Sequence, residues 1–281
     1  MPRIKMKLTT LLDTPPWDWP SDTRTIFQDT LNDRRAPASD RLIAADLAGN
    51  LVVINDDLAD ALMSVVRGAD EPEELRTKAA ISLGPVLEQS YINEFDDPDD
   101  TPITERTFRN IQDMFQELYL DTGIPKEVRR RILETSVRAP EDWHKNAISS
   151  AYASGDQDWV LTAVFSMRWV RGFDKQILEA LKSTNLEILD EALQAAGTWE
   201  LGRAWSRIIA LLKDADTPKH LLLSAIEAAG NIRPAEAWET VGDFTNSADE
   251  DIAEAAHEAI DMAGLMSGKD DDDFESDEWI N

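Results

Sequence analysis

The stretch "EALQAAG" at residues 191–197 returns as "SAIEAAG" at 224–230, 33 positions later. Extending the comparison outward gives segments starting at 37, 72, 125, 156, 185, 218 and 249: "PASDRLIAADLAG", "PEELRTKAAISLG", "PKEVRRRILETSV", "DQDWVLTAVFSMR", "NLEILDEALQAAG", "PKHLLLSAIEAAG" and "DEDIAEAAHEAID". Their eighth places are Ala44, Ala79, Ile132, Ala163, Ala192, Ala225 and Ala256. Alanine loses no rotamer freedom in a helix and lets a neighbouring helix come close. The fourth places are Leu75, Val128, Trp159, Ile188, Leu221 and Ile252, with Asp40 the misfit. Apolar residues three and four apart draw one stripe along a helix. Gly49, Gly84, Gly197 and Gly230 follow at the thirteenth place, where the pattern predicts left-handed helix caps.

A second stripe precedes most segments, as in Leu58, Ala61, Leu62, Val65, Val66 and in Leu201, Ala204, Trp205, Ile208, Ile209, Leu212. Each unit is therefore a helical hairpin. One hairpin cannot cover its own apolar face, so neighbours must stack on it as an α-α solenoid. The stretch "AWSRIIALLKDADTPKHLLLSAIEAAGNI" at 204–232 resembles HEAT-like repeats of the short bacterial type also found in phycobilisome bilin lyases. The resemblance implies an all-α superhelix of about seven hairpins over residues 21–266. Residues 1–20 are read as an N-terminal extension, 88–102 as an acidic insertion and 267–281 as an acidic tail. The spacing varies too much for tetratricopeptide repeats, and the units are too short for armadillo repeats. The Arg common in the second HEAT helix stands at Arg41, Arg76 and Arg129 but gives way to Val160, Leu189, Leu222 and Ala253. The later repeats are accordingly expected to stack by apolar contact alone.

The chain of 281 residues carries 55 acids against 28 bases, a net charge of −27. Such charge repels the phosphates of nucleic acid and anionic membranes, and high-salt adaptation is an alternative explanation of it that composition does not separate. There is no cysteine, which removes disulfides, thiolate metal sites and cysteine nucleophiles. No apolar run is long enough to span a bilayer. The expectation is a cytoplasmic monomer.

Between 126 and 175 the balance reverses: Arg130, Arg131, Arg168 and Arg171 lie among Trp143, His144 and Trp169. Arg and Trp supply most binding energy at protein interfaces, so these seven are the candidate partner-binding residues. The alternative is that the tryptophans fill the core and the arginines pair with surplus acids. The tail "GKDDDDFESDEWIN" at 268–281 holds seven acids, one Lys, Phe274 and Trp279. It reads either as a solubilising segment or as a docking motif carried by Phe274 and Trp279, and it can also fold back on the basic stretch. The insertion "EQSYINEFDDPDDTP" lacks the order of a calcium loop and reads as a solvated loop.

His144, His220 and His257 show no metal-ligand spacing. His257 with Glu258 resembles one His-Glu pair of deoxyhypusine hydroxylase, another HEAT-like protein, but that site needs several pairs; a structural role at the end of the stack is expected instead. Phosphate-binding glycine loops and nucleophile elbows are missing. The sequence therefore points to a non-catalytic protein-binding scaffold without metal or cofactor. A bilin-lyase-like chaperone or lyase, holding a chromophore for a client protein, is the alternative.

Overall fold

A computed structural model describes residues 8–95 and 101–267, with side chains as far as Gly264. It divides into two compact units, whose boundary falls between Ala147 and Ile148. Unit 1 holds α1 (Leu8–Leu12), α2 (Thr23–Asn32), α3 (Ala38–Ala48), α4 (Asp56–Arg67), α5 (Glu73–Ser82), α6 (Gly84–Asn93), α7 (Glu105–Leu120) and α8 (Lys126–Ser136). Helix α9 (Asp142–Ala153) contains the boundary. Unit 2 continues with α10 (Gln157–Ser166), α11 (Asp174–Ala180), α12 (Leu186–Thr198), α13 (Trp205–Lys213), α14 (Lys219–Ile232), α15 (Ala237–Val241) and α16 (Glu250–Ser267). No strand occurs among the described residues.

Every repeat segment starts on the residue just before a helix, so its first place is a cap. Pro37, Pro72, Pro125 and Pro218 sit extended, with ψ near 140°, and their carbonyls accept from the amides of Arg41, Arg76, Arg129 and Leu222. The carbonyls of Asp156, Asn185 and Asp249 accept in the same way, and their side-chain oxygens add a further bond, that of Asp249 from the amide of Asp251 at 3.1 Å. The side-chain caps of Asp156, Asn185 and Asp249 satisfy helix-end amides that would otherwise lack partners, at about 1 kcal/mol each, whereas the prolines set the extended entry to the helix without a side-chain cap.

The helices that follow these caps stack in succession: α3 on α5 on α8 in unit 1, and α10 on α12 on α14 on α16 in unit 2. Their partner helices form a second layer, with α2, α4 and α7 packed in turn in unit 1, and α11 and α13 lying on α12 and α14 in unit 2. Each unit is thus an all-α stack of HEAT-like hairpins. The seven residues at the eighth place, from Ala44 to Ala256, are fully buried. So are the ninth places, except His257. That exception lies on α16, the last helix described, on which no further hairpin packs among the described residues.

The four glycines are not left-handed caps, since none has positive φ. They mark close packing of one repeat on the next, against backbone at Gly49, Gly197 and Gly230 and against the side chains of Arg138 and Thr135 at Gly84. A β-carbon would lie 1.9 Å from the Ser82 carbonyl oxygen at Gly49, 3.4 Å from Thr135 at Gly84, 3.1 Å from Ala228 Cα at Gly197 and 3.0 Å from Ala259 Cβ at Gly230. In all four the thirteenth place of one repeat meets the eleventh place of the next. Gly49→Ala is expected to destabilise unit 1 by about 2 kcal/mol, because the clash is with backbone and exceeds the gain in helix propensity. Gly264→Ala, whose β-carbon meets nothing within 4 Å among the described residues, is expected to stabilise by about 0.5 kcal/mol. Urea titration followed by circular dichroism measures both.

The repeat arginines tie each hairpin internally. Arg41 Nη2 donates to Leu31 O at 2.9 Å, Arg76 Nε to Val66 O at 2.9 Å and Arg129 Nε to Tyr119 O at 2.7 Å, so each satisfies a carbonyl at the end of the preceding helix. The later repeats lack these arginines but do not stack by apolar contact alone. Ser224 Oγ donates to Asp190 Oδ1 at 2.6 Å between α14 and α12, and Lys219 Nζ reaches Asp249 and Asp251 at 2.7 and 2.6 Å. Trp199 Nε1 donates to Met167 O at 2.6 Å.

The insertion is partly helical. Its residues 88–93 belong to α6, whose Val86 and Leu87 are buried and whose Glu88 pairs with Arg138 at 2.7 Å. Pro85, just inside the helix, starts this element rather than stopping the one before it. Residues 96–100 lie outside the described residues.

Candidate interaction surface

The basic stretch read from the sequence is divided by the unit boundary, and each part has its own geometry. In unit 1, α8 carries Arg130 and Arg131 next to each other, both beside Glu127 and Glu134. Arg130 is 5% exposed and is held by Glu127 at 2.7 Å, with Glu134 at 3.9 Å. This candidate partner-binding residue is therefore buried. Arg131 is half-buried between Glu127 and Glu134, at 2.7 and 2.6 Å, and these two carboxylates raise its pKa against the effect of burial.

His144 is likewise interior, at 0% exposure. It is the third residue of α9, and its Nδ1 accepts from the Glu141 amide at 2.8 Å while Nε2 faces Ser136 Oγ at 2.9 Å. A side chain at this place reaching back to the cap amide is half of a capping box, with imidazole in the role usually taken by Glu or Gln. With Nδ1 as acceptor, the proton sits on Nε2 and is donated to Ser136. Burial lowers its pKa to about 4, so the ring is neutral near pH 7. Trp143 is half-buried, tilted against Tyr119 at 5.3 Å, and donates Nε1 to Glu141 at 3.0 Å. In unit 1, then, the arginine and histidine candidates chiefly secure α8 and α9.

In unit 2, Arg168 stands at the thirteenth place, where four other repeats have glycine. Its Nη1 donates to Gln194 Oε1 at 2.5 Å and lies 3.8 Å from Glu191, joining the end of α10 to α12. Trp169 is half-buried in the same turn. Arg171 is exposed, with its guanidinium 4.6 Å from the ring of Trp199. Trp205 is similarly covered by Arg233 at 4.7 Å. Both tryptophans sit at the connection between α12 and α13, so two Arg–Trp pairs flank one short segment. A guanidinium over an indole face is attracted by the ring quadrupole, and the arrangement keeps both groups ordered.

Around these pairs unit 2 separates its charges. Exposed Arg171, Lys175, Lys182, Arg203, Arg207 and Lys213 lie on α11, α13 and their connections. Arg207 donates to Leu181 O at 3.1 Å, which sets this side of α13 beside Lys182. None of the six has a carboxylate within 4 Å among the described residues. The stacked helices instead carry Asp158, Glu187, Asp190, Glu191, Glu227, Glu254 and Glu258. Sequence reasoning stopped at Lys175 and missed Trp199, Trp205 and the bases beyond. Their signal, a base-rich pattern confined to first helices, emerges only once the hairpins are drawn. Chemically this face can hold carboxylate or phosphate groups next to aromatic surface.

His257 is exposed on α16, and its Nδ1 lies 2.7 Å from Ala253 O of its own helix. No group of three His, Cys, Asp or Glu arranged to hold a metal ion occurs among the described residues. No described helix is long and apolar enough to cross a membrane. Phe274 and Trp279 lie outside the described residues.

No protein-family model matches the sequence, and no curated protein is significantly similar to it. Among solved structures, the chain is similar to YibA of E. coli at 17% identity, with 86% of this chain and 82% of that chain covered and a TM-score of 0.48. Human deoxyhypusine hydroxylase, in complex with glycerol, aligns at 16% identity over 92% of this chain and 88% of that one, with a TM-score of 0.40. An engineered protein aligns at 14% identity over 88% and 98%, with a TM-score of 0.35. At these values the assignment to HEAT-like helical hairpins rests on the stacked helices themselves.

Proposed function

We propose that this chain is a non-catalytic protein-binding scaffold whose contact surface includes Arg171 with its supporting Trp199, together with Trp169 and Arg168. One observation carries the reading: six exposed cations of unit 2 have no carboxylate within 4 Å among the described residues, in a chain whose acids outnumber its bases 55 to 28. Arg and Trp are the residues that most often anchor interfaces. Arg171 already rests on its ring and the helices are already packed, so little ordering entropy is lost when a partner arrives. The net charge of −27 favours a protein over nucleic acid as that partner.

The test is proximity crosslinking in native cells with the full-length chain and its Arg171→Glu, Arg203→Glu variant, followed by mass spectrometry. Both positions are exposed, so helicity and melting temperature are expected to stay unchanged. Captured chains are expected to fall at least about tenfold with the variant, as for the loss of an interfacial anchor. An unaltered set of captured chains refutes the site.

A further inference from the structure

We propose that the basic face of α11 and α13 takes an acidic, aromatic segment, and that residues 268–281 of this same chain are its occupant. The inference deepens the reading of this surface as a binding face and gives it a resident ligand. Lys175 and Lys182 are two turns apart on α11 and its C-terminal end; Arg203 and Arg207 are one turn apart at the start of α13. The bond from Arg207 to Leu181 O brings these rows together. Asp174, Glu179 and Glu200 are also exposed nearby but pair with none of the six bases. Beside the bases, Trp199 and Trp205 provide aromatic surface, each with one guanidinium on its ring.

The segment that follows α16 has the complementary chemistry: seven acids, one Lys, Phe274 and Trp279. Its reach suffices. Helix α16 packs on α14, and α14 packs on α13. Two helix packings span roughly 20 Å, whereas an extended chain covers about 25 Å over the seven residues from Ser267 to Phe274. Tethering gives an effective concentration in the millimolar range, so a weak, salt-screened attraction is enough for occupancy. A partner must then displace the segment, which makes the face selective for ligands more acidic or more aromatic than the tail.

Carbodiimide coupling of the full-length chain, with peptides identified by mass spectrometry, tests the proposal. Coupling of Asp270–Asp273, Glu275, Asp277 or Glu278 to Lys175, Lys182 or Lys213 is expected at low salt. It is expected to vanish in molar salt and in the Arg171→Glu, Arg203→Glu variant, which leaves all three lysines in place. Coupling that goes instead to Lys78 or Lys219, or that persists in the variant, overturns the proposal. So does coupling between heavy and light chains in an isotope-labelled mixture, which assigns the segment to a second copy. If coupling fails while the variant still loses captured chains, only the occupant is wrong; if coupling behaves as expected while captured chains persist, only the partner reading is.

Discussion

Replacing Glu71 by alanine is expected to cost unit 1 about 3–5 kcal/mol, the loss typical of removing one member of a buried ion pair. Glu71 lies in the connection before α5 and meets Arg41 of α3 through two bonds, Nη1 to Oε2 at 2.5 Å and Nη2 to Oε1 at 3.0 Å. The two side chains are 7% and 8% exposed. The hydrogen bond from Arg41 holds the Glu71 carboxyl below the usual carboxylate range although burial acts in the opposite direction. Its contribution is therefore present above pH 4.5 and is lost as pH falls through the lowered value. Arg34, exposed and 3.6 Å from Glu71, is itself a cation and offers Arg41 no replacement charge. With Glu71 removed, Arg41 keeps Leu31 O, while its buried Nε already lacks a partner. The paired substitution Arg41→Met, Glu71→Leu is expected to lie near wild type, because it removes both charges at once. Urea midpoints of the two single variants and the double variant give the coupling energy. A Glu71→Ala cost below about 1 kcal/mol would show that Arg41 relaxes toward solvent.

How much of this was legible in the sequence depends on which interactions are periodic. The eighth-place alanines, the cap residues from Pro37 to Asp249 and the seven hairpins follow from local spacing, because a repeated packing environment selects the same residue type at the same place. The glycines at the thirteenth place were visible, but their purpose was misread. A glycine that ends a helix and one that admits a neighbouring backbone leave the same letter, and only contact with Ser82 or Ala228 distinguishes them. The partners of Arg41 and Arg130 were also hidden: one arginine pairs with a residue of the next repeat, the other within its own helix. The charge separation in unit 2 was diluted in the linear sequence. Glu187, Asp190 and Glu191 fall between Lys182 and Arg203, and hairpin folding places them in a different layer.

The same contrast between letter and environment sets the largest pH effect expected here. His144 looked like a surface residue of a basic stretch, yet it is fully buried and holds both Glu141 N and Ser136 Oγ. Its pKa falls from 6.5 to about 4 because burial disfavours the imidazolium. Between those values the unfolded chain carries a proton that the folded chain does not, so stability rises with pH through this window. The contribution is complete above 6.5 and is progressively lost toward pH 4, by about 3 kcal/mol in all. The Glu141 carboxylate is engaged by Trp143 Nε1, and although the Glu141 carbonyl, 3.2 Å from Nδ1, favours a protonated ring, burial outweighs it. His144→Gln keeps an acceptor for the cap amide but cannot titrate. Urea midpoints for wild type and variant, taken at intervals from pH 7 to 4, are expected to show a slope for wild type that is largely absent from the variant. Parallel slopes would place the acid sensitivity of unit 1 on its carboxylates, Glu71 foremost, and leave His144 a capping residue alone.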